Sequence, residues 1–431
     1  MTTVTHLQNT LQQLLNETAE EAGHNSGFIR RQRKLSGASF VQTLVWGWLS
    51  KPQASLEELS QTAALCGVQI SAQGLAQRMT ETAAECLRSV LEASLMLVAQ
   101  GTTGSATFLE RFNGVYLLDS TSIALPQEWA AQWSGCGNQH GSGAGMKVQT
   151  LWDYQGGSLH LSLHPSRCHD VHLPVAVVPA GALRVSDCGY FDATRLQTLA
   201  QQDSYYLLRV PSKVQVQDGT GHLQRLSTFL RCHAQPDFDG WVCLTAKGLA
   251  CRLLARRAPQ AVVYQRQQLI RQRAARKRQT VSQEALALAA WTILITNLPT
   301  SLLTFDEAFV LLRLRWQIEL LFKLWKQHAH LSHSPSRNPQ RILCEIYAKL
   351  IGLIIQHALI LFTAWDVPQR SLVKMAQTIR KFTFALVYSL RTSASAFAAL
   401  IDTLTLVLRS GCRSNKRKTQ PALFQRLLCL S

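Results

Sequence analysis

The segment from Leu312 to Lys326 reads LRLRWQIELLFKLWK and contains neither glycine nor proline. This composition favours a continuous α-helix. At about 100° per residue, Arg315, Glu319 and Lys326 fall within roughly 40° of one another, beside an apolar stripe. The stripe would pack on a core and leave one carboxylate between two cations. Such a group suits a site that holds a metal and contacts phosphates, or a surface helix with ordinary ion pairs between neighbouring turns.

The composition indicates a polyanionic partner. The chain has 431 residues, with 44 Lys and Arg against 26 Asp and Glu, a formal net charge of +18. The basic residues are scattered rather than gathered beside a long apolar helix, which favours nucleic acid over a membrane surface. The most apolar stretch, residues 342–365, contains Glu345, Lys349 and His357, so we expect a buried helix there. The eleven cysteines form no Cys-x-x-Cys pair, which is typical of free thiols in a reducing cytosol.

Residues 1–105 are expected to be a helical DNA-binding domain. Ser55 and Glu58 have the spacing of a capping box at a helix start, Gly67 ends that helix, and Ser71 begins another. Two helices joined by a glycine-containing turn have the outline of a helix-turn-helix. An ordinary helical hairpin is the alternative, and the basic charge favours contact with DNA.

An α/β region follows, and two of its predicted strands end in an aspartate. One strand leads to Asp119 and the next to Asp187, in the first half of a core over residues 106–210. Ligands collect at strand ends of α/β sheets. Together with Glu319, these acids form the minimal carboxylate set for two divalent cations beside a phosphate, and Mg²⁺ suits oxygen ligands.

The remaining segments complete the predicted domain organisation. Residues 211–290 are expected to be a β-rich insertion with strands that include 228–232 and 261–264, followed by a basic helix or loop. The basic run is either a solvated face or a DNA contact, and the overall charge favours DNA. Residues 291–365 would supply the second half of the core. Residues 366–431 would form a helical, basic C-terminal segment.

The order of these features resembles the DDE transposases of the insertion sequence four family. Their hallmark is Tyr-x2-Arg-x3-Glu-x6-Lys, and Arg315, Glu319 and Lys326 match its spacing, whereas Leu312 occupies the Tyr position. The resemblance implies an RNase H-like catalytic core with a β-rich insertion between the second Asp and the Glu. It also implies that Asp119 and Asp187, with the Glu, are the catalytic residues that bind Mg²⁺ (or Mn²⁺).

The resemblance further implies a function and its partners. The chain would be a cut-and-paste DNA transposase that hydrolyses phosphodiesters at the ends of its own insertion sequence and joins them to target DNA. Its partners would be the terminal inverted repeats, target DNA and a second copy in a synaptic homodimer, with no membrane. It would be cytoplasmic and associated with the bacterial nucleoid. The DNA-binding residues would be Arg315, Lys326 and Trp316, the last stacking on a displaced base or packing in the core.

Several alternatives stay open from the sequence. Leu312 is compatible with a catalytically silent descendant that acts as a repressor, and an RNase H-like nuclease would use the same fold. Glu345 is a rival third acid or a buried polar partner. A zinc site would draw on a dense local cluster that meets no standard zinc spacing: His164, Cys168, His169, Asp170 and His172. Asp170 could instead support the carboxylate site.

Overall fold

The computed structural model describes residues 4–31, 34–95, 107–136, 143–217, 221–245, 247–276, 278–367 and 369–414. They divide into two compact units. The first takes its described residues from the ranges 1–105, 120–168 and 318–424, and the second takes them from 106–119 and 169–317. The domain boundaries expected from the sequence stay a prediction.

The N-terminal part of the first unit is helical. Ser55 accepts from the Glu58 backbone N–H and the Glu58 carboxylate accepts from the Ser55 N–H, which confirms the capping box. Gly67 has a φ of 84°, in the left-handed region that favours glycine, and Ser71 caps the next helix. The helices are α1 (Val4–Gln12), α2 (Ala19–Asn25), α3 (Gly37–Ser50), α4 (Leu56–Leu65), α5 (Ala72–Arg78) and α6 (Glu81–Ser94), with a π-helical turn over Gln13–Thr18.

Five strands and one helix follow: β1 (Val115–Leu125), β2 (Ala144–Asp153), β3 (Leu159–Pro165), β4 (Leu183–Ser186), α7 (Ala193–Gln201) and β5 (Tyr205–Arg209). In the first unit, β2 and β3 form the predicted antiparallel hairpin, and Gly157 adopts a φ of 80° in its turn. In the second unit, β4 pairs in parallel with both β1 and β5. Three adjacent parallel strands therefore carry the region of the candidate acids.

The prediction that the first strand ends at Asp119 is wrong, because β1 continues to Leu125. Beyond the aspartate, buried Ile123 alternates with exposed Ser122 and Ala124. This is the two-residue period of a strand with one buried face. Its polar serines and threonine resemble a turn in sequence, but they belong to the strand.

The expected insertion extends the sheet of the second unit. Its elements are β6 (Gln215–Gln217), β7 (Leu223–Arg225), α8 (Leu226–Arg231), β8 (Asp237–Leu244), β9 (Leu249–Arg257), α9 (Gln260–Arg276) and α10 (Gln283–Leu288). After them, β10 (Trp291–Thr296) pairs antiparallel with both β5 and β9. Within this unit the strand order is β1-β4-β5-β10-β9-β8-β6-β7.

The strands predicted at 228–232 and 261–264 are wrong. These residues lie in α8 and α9. Short apolar runs do not distinguish a helix from a strand, and the surrounding chain decides between them.

The segment that opened the sequence analysis is helical but not one regular α-helix. It follows α11 (Phe305–Leu311) and consists of a 3₁₀ turn over Leu312–Leu314, α12 (Arg315–Lys323) and the first residues of a π-helical turn over Leu324–His328. The wider π turn changes the angular position of Lys326 relative to a regular wheel.

Three long helices complete the first unit: α13 (Pro339–Ala364), α14 (Leu372–Thr392) and α15 (Ala394–Gly411). Both α13 and α15 are long and apolar enough to span a membrane. In α13, however, 94% of the most apolar window is buried inside the protein, which confirms the predicted buried helix. The corresponding window of α15 is only 22% buried.

Candidate active site

Two aspartates follow paired positions on adjacent parallel strands. Leu118 of β1 is in register with Ser186 of β4, and the next residues are Asp119 and Asp187. Neighbouring strands lie about 4.8 Å apart, and residues at matching positions share a face of the sheet. The register therefore places the two aspartates at matching positions of neighbouring strands, and their joint role in one site stays a prediction.

Arg315, the first residue of α12, is an ion-pair partner of Asp119. Its Nη1 donates to Oδ2 of the aspartate over 3.4 Å, and only 17% of the arginine side chain and 20% of the aspartate side chain are exposed. Partial burial reduces solvent screening of this pair. The arginine of the signature thus contacts the first candidate acid.

Asp187 lies at the start of a 3₁₀ turn over Cys188–Tyr190. Its backbone is extended, with φ −87° and ψ 170°, and its carbonyl accepts from the Tyr190 N–H over 3.1 Å. Burial, followed by the charge of Asp187, raises the pKa of the Cys188 thiol.

Asp170 is a further acid of this neighbourhood. A Cβ placed on Gly189 would lie 3.4 Å from its Oδ2, so the carboxylate packs against the turn that follows Asp187. The sequence suggested Asp170 only as a possible support.

Glu319 follows Arg315 by one turn of α12 and is half-buried. The helix is held in place by buried Ile318 and Leu321. Glu319 belongs to the first unit, whereas Asp119 and Asp187 belong to the second. The participation of Glu319 in one site with the two aspartates stays a prediction.

The other signature positions differ in exposure. Trp316 is 54% exposed, so the alternative of a core tryptophan is wrong and its ring is available for stacking. Lys326 is half-buried in the π turn, and burial lowers the pKa of its ammonium group. Leu312 is 9% exposed and lies in the 3₁₀ turn.

Glu345 is engaged elsewhere. It is 2% exposed, and its Oε1 accepts from Lys349 Nζ over 2.6 Å while Oε2 accepts from Ser334 Oγ over 2.6 Å. The lysine also donates to the His330 carbonyl over 3.0 Å. Glu345 is therefore the buried polar partner that the sequence offered as an alternative to a third acid. The lysine was missed, although its spacing of four helical residues indicates the pair.

The residues present suit a hard metal ion better than zinc. Among the described residues, no group of three or more His, Cys, Asp and Glu side chains is arranged to hold a metal. Neither the zinc cluster nor the three candidate carboxylates form such a group, so the preference for a hard ion rests on the type of donor atom alone. Asp119 and Asp187 offer two oxygen donors on one face of the sheet, the donor type that Mg²⁺ and Mn²⁺ prefer.

Comparisons with known proteins show that this chain is similar to transposases. Residues 110–355 match the family described as Transposase DDE domain. The transposase for insertion sequence element IS231B of Bacillus thuringiensis subsp. berliner is 25% identical over 364 residues, which is 78% of this chain and 75% of that protein. The transposase for insertion sequence element IS421 of Escherichia coli is 23% identical over 378 residues, which is 82% of this chain and 93% of that protein. Among solved structures, a piggyBac transposase synaptic complex with hairpin DNA covers 98% of this chain and 87% of that chain, at a TM-score of 0.48 and 8% identity.

Proposed function

The chain belongs to the transposase DDE domain family, and from this membership we propose that it performs cut-and-paste transposition of its own insertion sequence. It is a transposase, an enzyme that acts on DNA. In the proposed reaction, water attacks the phosphodiester at each element end and releases a 3′-hydroxyl. That hydroxyl then attacks a phosphodiester of the target DNA, which joins the two without a covalent enzyme intermediate.

The observation that carries the proposal is that Asp119 and Asp187 directly follow Leu118 and Ser186, which are paired on adjacent parallel strands. Parallel β1, β4 and β5 form the part of the sheet that we assign to an RNase H-like core. Asp187 follows the carboxyl end of β4, where ligands of α/β sheets collect, whereas Asp119 lies within β1, one residue after the position paired with Ser186.

We assign the metal-binding and catalytic roles to Asp119, Asp187 and Glu319. The carboxylates would hold Mg²⁺ or Mn²⁺. When bound, the metal would polarise the scissile phosphate and lower the pKa of attacking water. Arg315 would contact a DNA phosphate, for which its planar guanidinium is suited.

Lys326 and Trp316 would complete the DNA contact. The lysine would neutralise a phosphate, and the exposed indole would stack on a displaced base. The N-terminal helices α4 and α5 would bind the terminal inverted repeats. A homodimer would hold two ends together, because both ends must be cut and joined. The protein would act in the cytoplasm, on the bacterial nucleoid.

A catalytically silent DNA-binding descendant is the second candidate, and Leu312 favours it. A buried leucine replaces the family tyrosine and has no group that donates a hydrogen bond. The intact carboxylates favour the active enzyme. A nuclease would cut the same DNA without joining it, so strand transfer separates that alternative.

The test is cleavage and joining of a labelled duplex that carries the element's own end. We compare wild type with Asp119→Asn, Asp187→Asn and Glu319→Gln, in Mg²⁺ or with EDTA. Each substitution is expected to reduce cleavage by at least about a hundredfold, because a metal ligand is removed, and to leave binding of the duplex nearly unchanged. Asp402→Asn, an exposed acid on α15, is the matched control and is expected to cleave like wild type.

The outcomes separate the candidates. Cleavage that persists in one variant would remove that residue from the assignment. Binding without cleavage by wild type would favour the silent descendant, and cleavage without joining would favour the nuclease. Melting temperatures equal to that of wild type would exclude unfolding as the cause of reduced activity in a variant.

A further inference from the structure

Helix α9 is fixed to the second unit along one side only. Val263 is the single buried residue among its 17 residues. Arg266 donates to the carbonyls of Ala289 and Trp291 over 3.2 and 3.0 Å, and Gln267 donates to the Leu286 carbonyl over 3.2 Å. These contacts determine which side of the helix faces the sheet and which side faces solvent.

The solvent side carries a row of glutamines. At about 100° per residue, Gln265, Gln268 and Gln272 lie within roughly 60° of one another and opposite Val263. Gln265 and Gln272 are exposed and Gln268 is half-buried. The Gln268 Nε2 donates to the Tyr264 hydroxyl over 2.6 Å, which holds its amide at this surface.

Arginines flank the glutamine row on both sides. On the same wheel, Arg271 lies on one flank, and Arg273 and Arg276 lie on the other. All three are exposed, and within the described part of the chain none of them has an ion-pair partner. The helix contains no Asp or Glu. This surface is complementary to a polyanion and to no basic partner.

The dimensions and chemistry of α9 fit duplex DNA. An α-helix with its side chains is about 10–12 Å wide, and the major groove of B-form DNA is about 12 Å wide. Glutamine amides pair with the exposed edge of adenine, and arginines on either side of such a helix reach the phosphates of the two strands.

We propose that α9 enters the major groove of duplex DNA, where Gln265, Gln268 and Gln272 contact base edges while Arg271 and Arg273 contact phosphates on opposite strands. This role rests on the proposed transposase function and adds a sequence-reading surface to it. None of its residues is a candidate carboxylate or a residue of the Arg-Glu-Lys signature.

The experiment measures binding of the full chain to two duplexes, the element's own end and a shuffled duplex of the same composition. The triple variant Gln265→Ala/Gln268→Ala/Gln272→Ala is expected to reduce the affinity ratio between the two duplexes by at least about tenfold, with little change on the shuffled one. The double variant Arg271→Gln/Arg273→Gln is expected to weaken both. Its slope of log affinity against log salt should be shallower by about 0.9 for each phosphate that the variant no longer neutralises.

Gln201→Ala/Gln202→Ala, on exposed residues of the second unit, is the matched control and should bind like wild type. Unchanged discrimination in the triple variant, while wild type still discriminates, would overturn the inference alone. An equal loss of affinity of the triple variant for both duplexes would also overturn it. The same holds if the variant changes the mass of the DNA-free oligomer while its DNA binding stays unchanged. Absence of DNA binding by wild type would instead overturn the proposed function, and this inference with it.

Discussion

Arg315 contacts Asp119 in the protein without DNA. In the proposed reaction, the same arginine contacts a phosphate and the same aspartate holds a metal. The two roles are linked, because a divalent cation and the guanidinium compete for one carboxylate. We therefore regard Arg315 as a residue that balances the charge of the acid pair until DNA and metal arrive.

Replacing this arginine should tighten metal binding and weaken DNA binding. In Arg315→Gln, we expect the Kd of the DNA-free protein for Mn²⁺ to fall by up to about fivefold, since partly exposed ion pairs contribute up to about 1 kcal/mol. Isothermal titration with Mn²⁺ measures it. Arg313→Gln, at an exposed position in the preceding 3₁₀ turn, is the control. Metal affinity that is unchanged or weaker would show that the arginine does not compete.

Helix α13 contains three ionisable groups inside an apolar element. Glu345 and Lys349 are 2% and 4% exposed and pair with each other, and His357 is 4% exposed. Buried charges are stable only when paired and hydrogen-bonded. The contacts of the pair with Ser334 and the His330 carbonyl also position the loop that follows the α12 segment.

Removing one partner of the buried pair should destabilise the protein strongly. Glu345→Gln leaves an uncompensated ammonium group and is expected to lower stability by about 3–5 kcal/mol. The double variant Glu345→Gln/Lys349→Met should recover much of the loss, and thermal melting measures both. Glu92→Gln breaks the exposed pair with Arg88 at the same four-residue spacing and should change the melting temperature far less. An equal decrease in melting temperature for Glu345→Gln and Glu92→Gln would show that burial does not set the cost of breaking the pair.

His357 makes stability depend on pH. Burial lowers its pKa from 6.5 to about 4, so the folded protein keeps the ring neutral, with Nε2 donating to the Gly157 carbonyl over 2.8 Å. Between these two pKa values the unfolded chain binds the additional proton. The stabilisation is therefore fully present above pH 6.5 and is lost as the pH falls towards 4, by at most about 3 kcal/mol.

The measurement is urea unfolding between pH 7.5 and 5. His357→Gln keeps an N–H donor at this position but does not titrate, so its stability should vary less with pH than that of wild type. Identical pH profiles of the two proteins would contradict the assignment.

For the whole molecule, the net charge of +18 is consistent with its action on DNA, and the tertiary structure shows where that charge is presented. On α9 the arginines have no acidic partners within the described residues, whereas Arg252 is 1% exposed and is neutralised by Asp239. Unpaired surface arginines such as those of α9 contribute to DNA affinity and its salt dependence. Buried, paired arginines such as Arg252 stabilise the fold.

Elements with strong local signals were predicted from the sequence. The capping box at Ser55, the β2–β3 hairpin and the buried α13 were identified because capping residues, turn glycines and long apolar runs act over a few residues. The residues of α8 and of the first turn of α9 were mistaken for strands, since a short apolar run is compatible with both. The candidate site residues were proposed from their spacing and stay a prediction, whereas the ion pair of Arg315 with Asp119 joins residues 196 positions apart and has no sequence signal.

By itself, the sequence determined the family resemblance, the signature residues and the basic charge, because spacing and composition are properties of the chain alone. Only the tertiary structure decided that β1 continues past Asp119, that the glutamines of α9 face solvent, and that Glu345 is neutralised by Lys349 in the core. Strand length, exposure and charge pairing depend on which distant segments cover a residue. That is a property of packing rather than of local sequence.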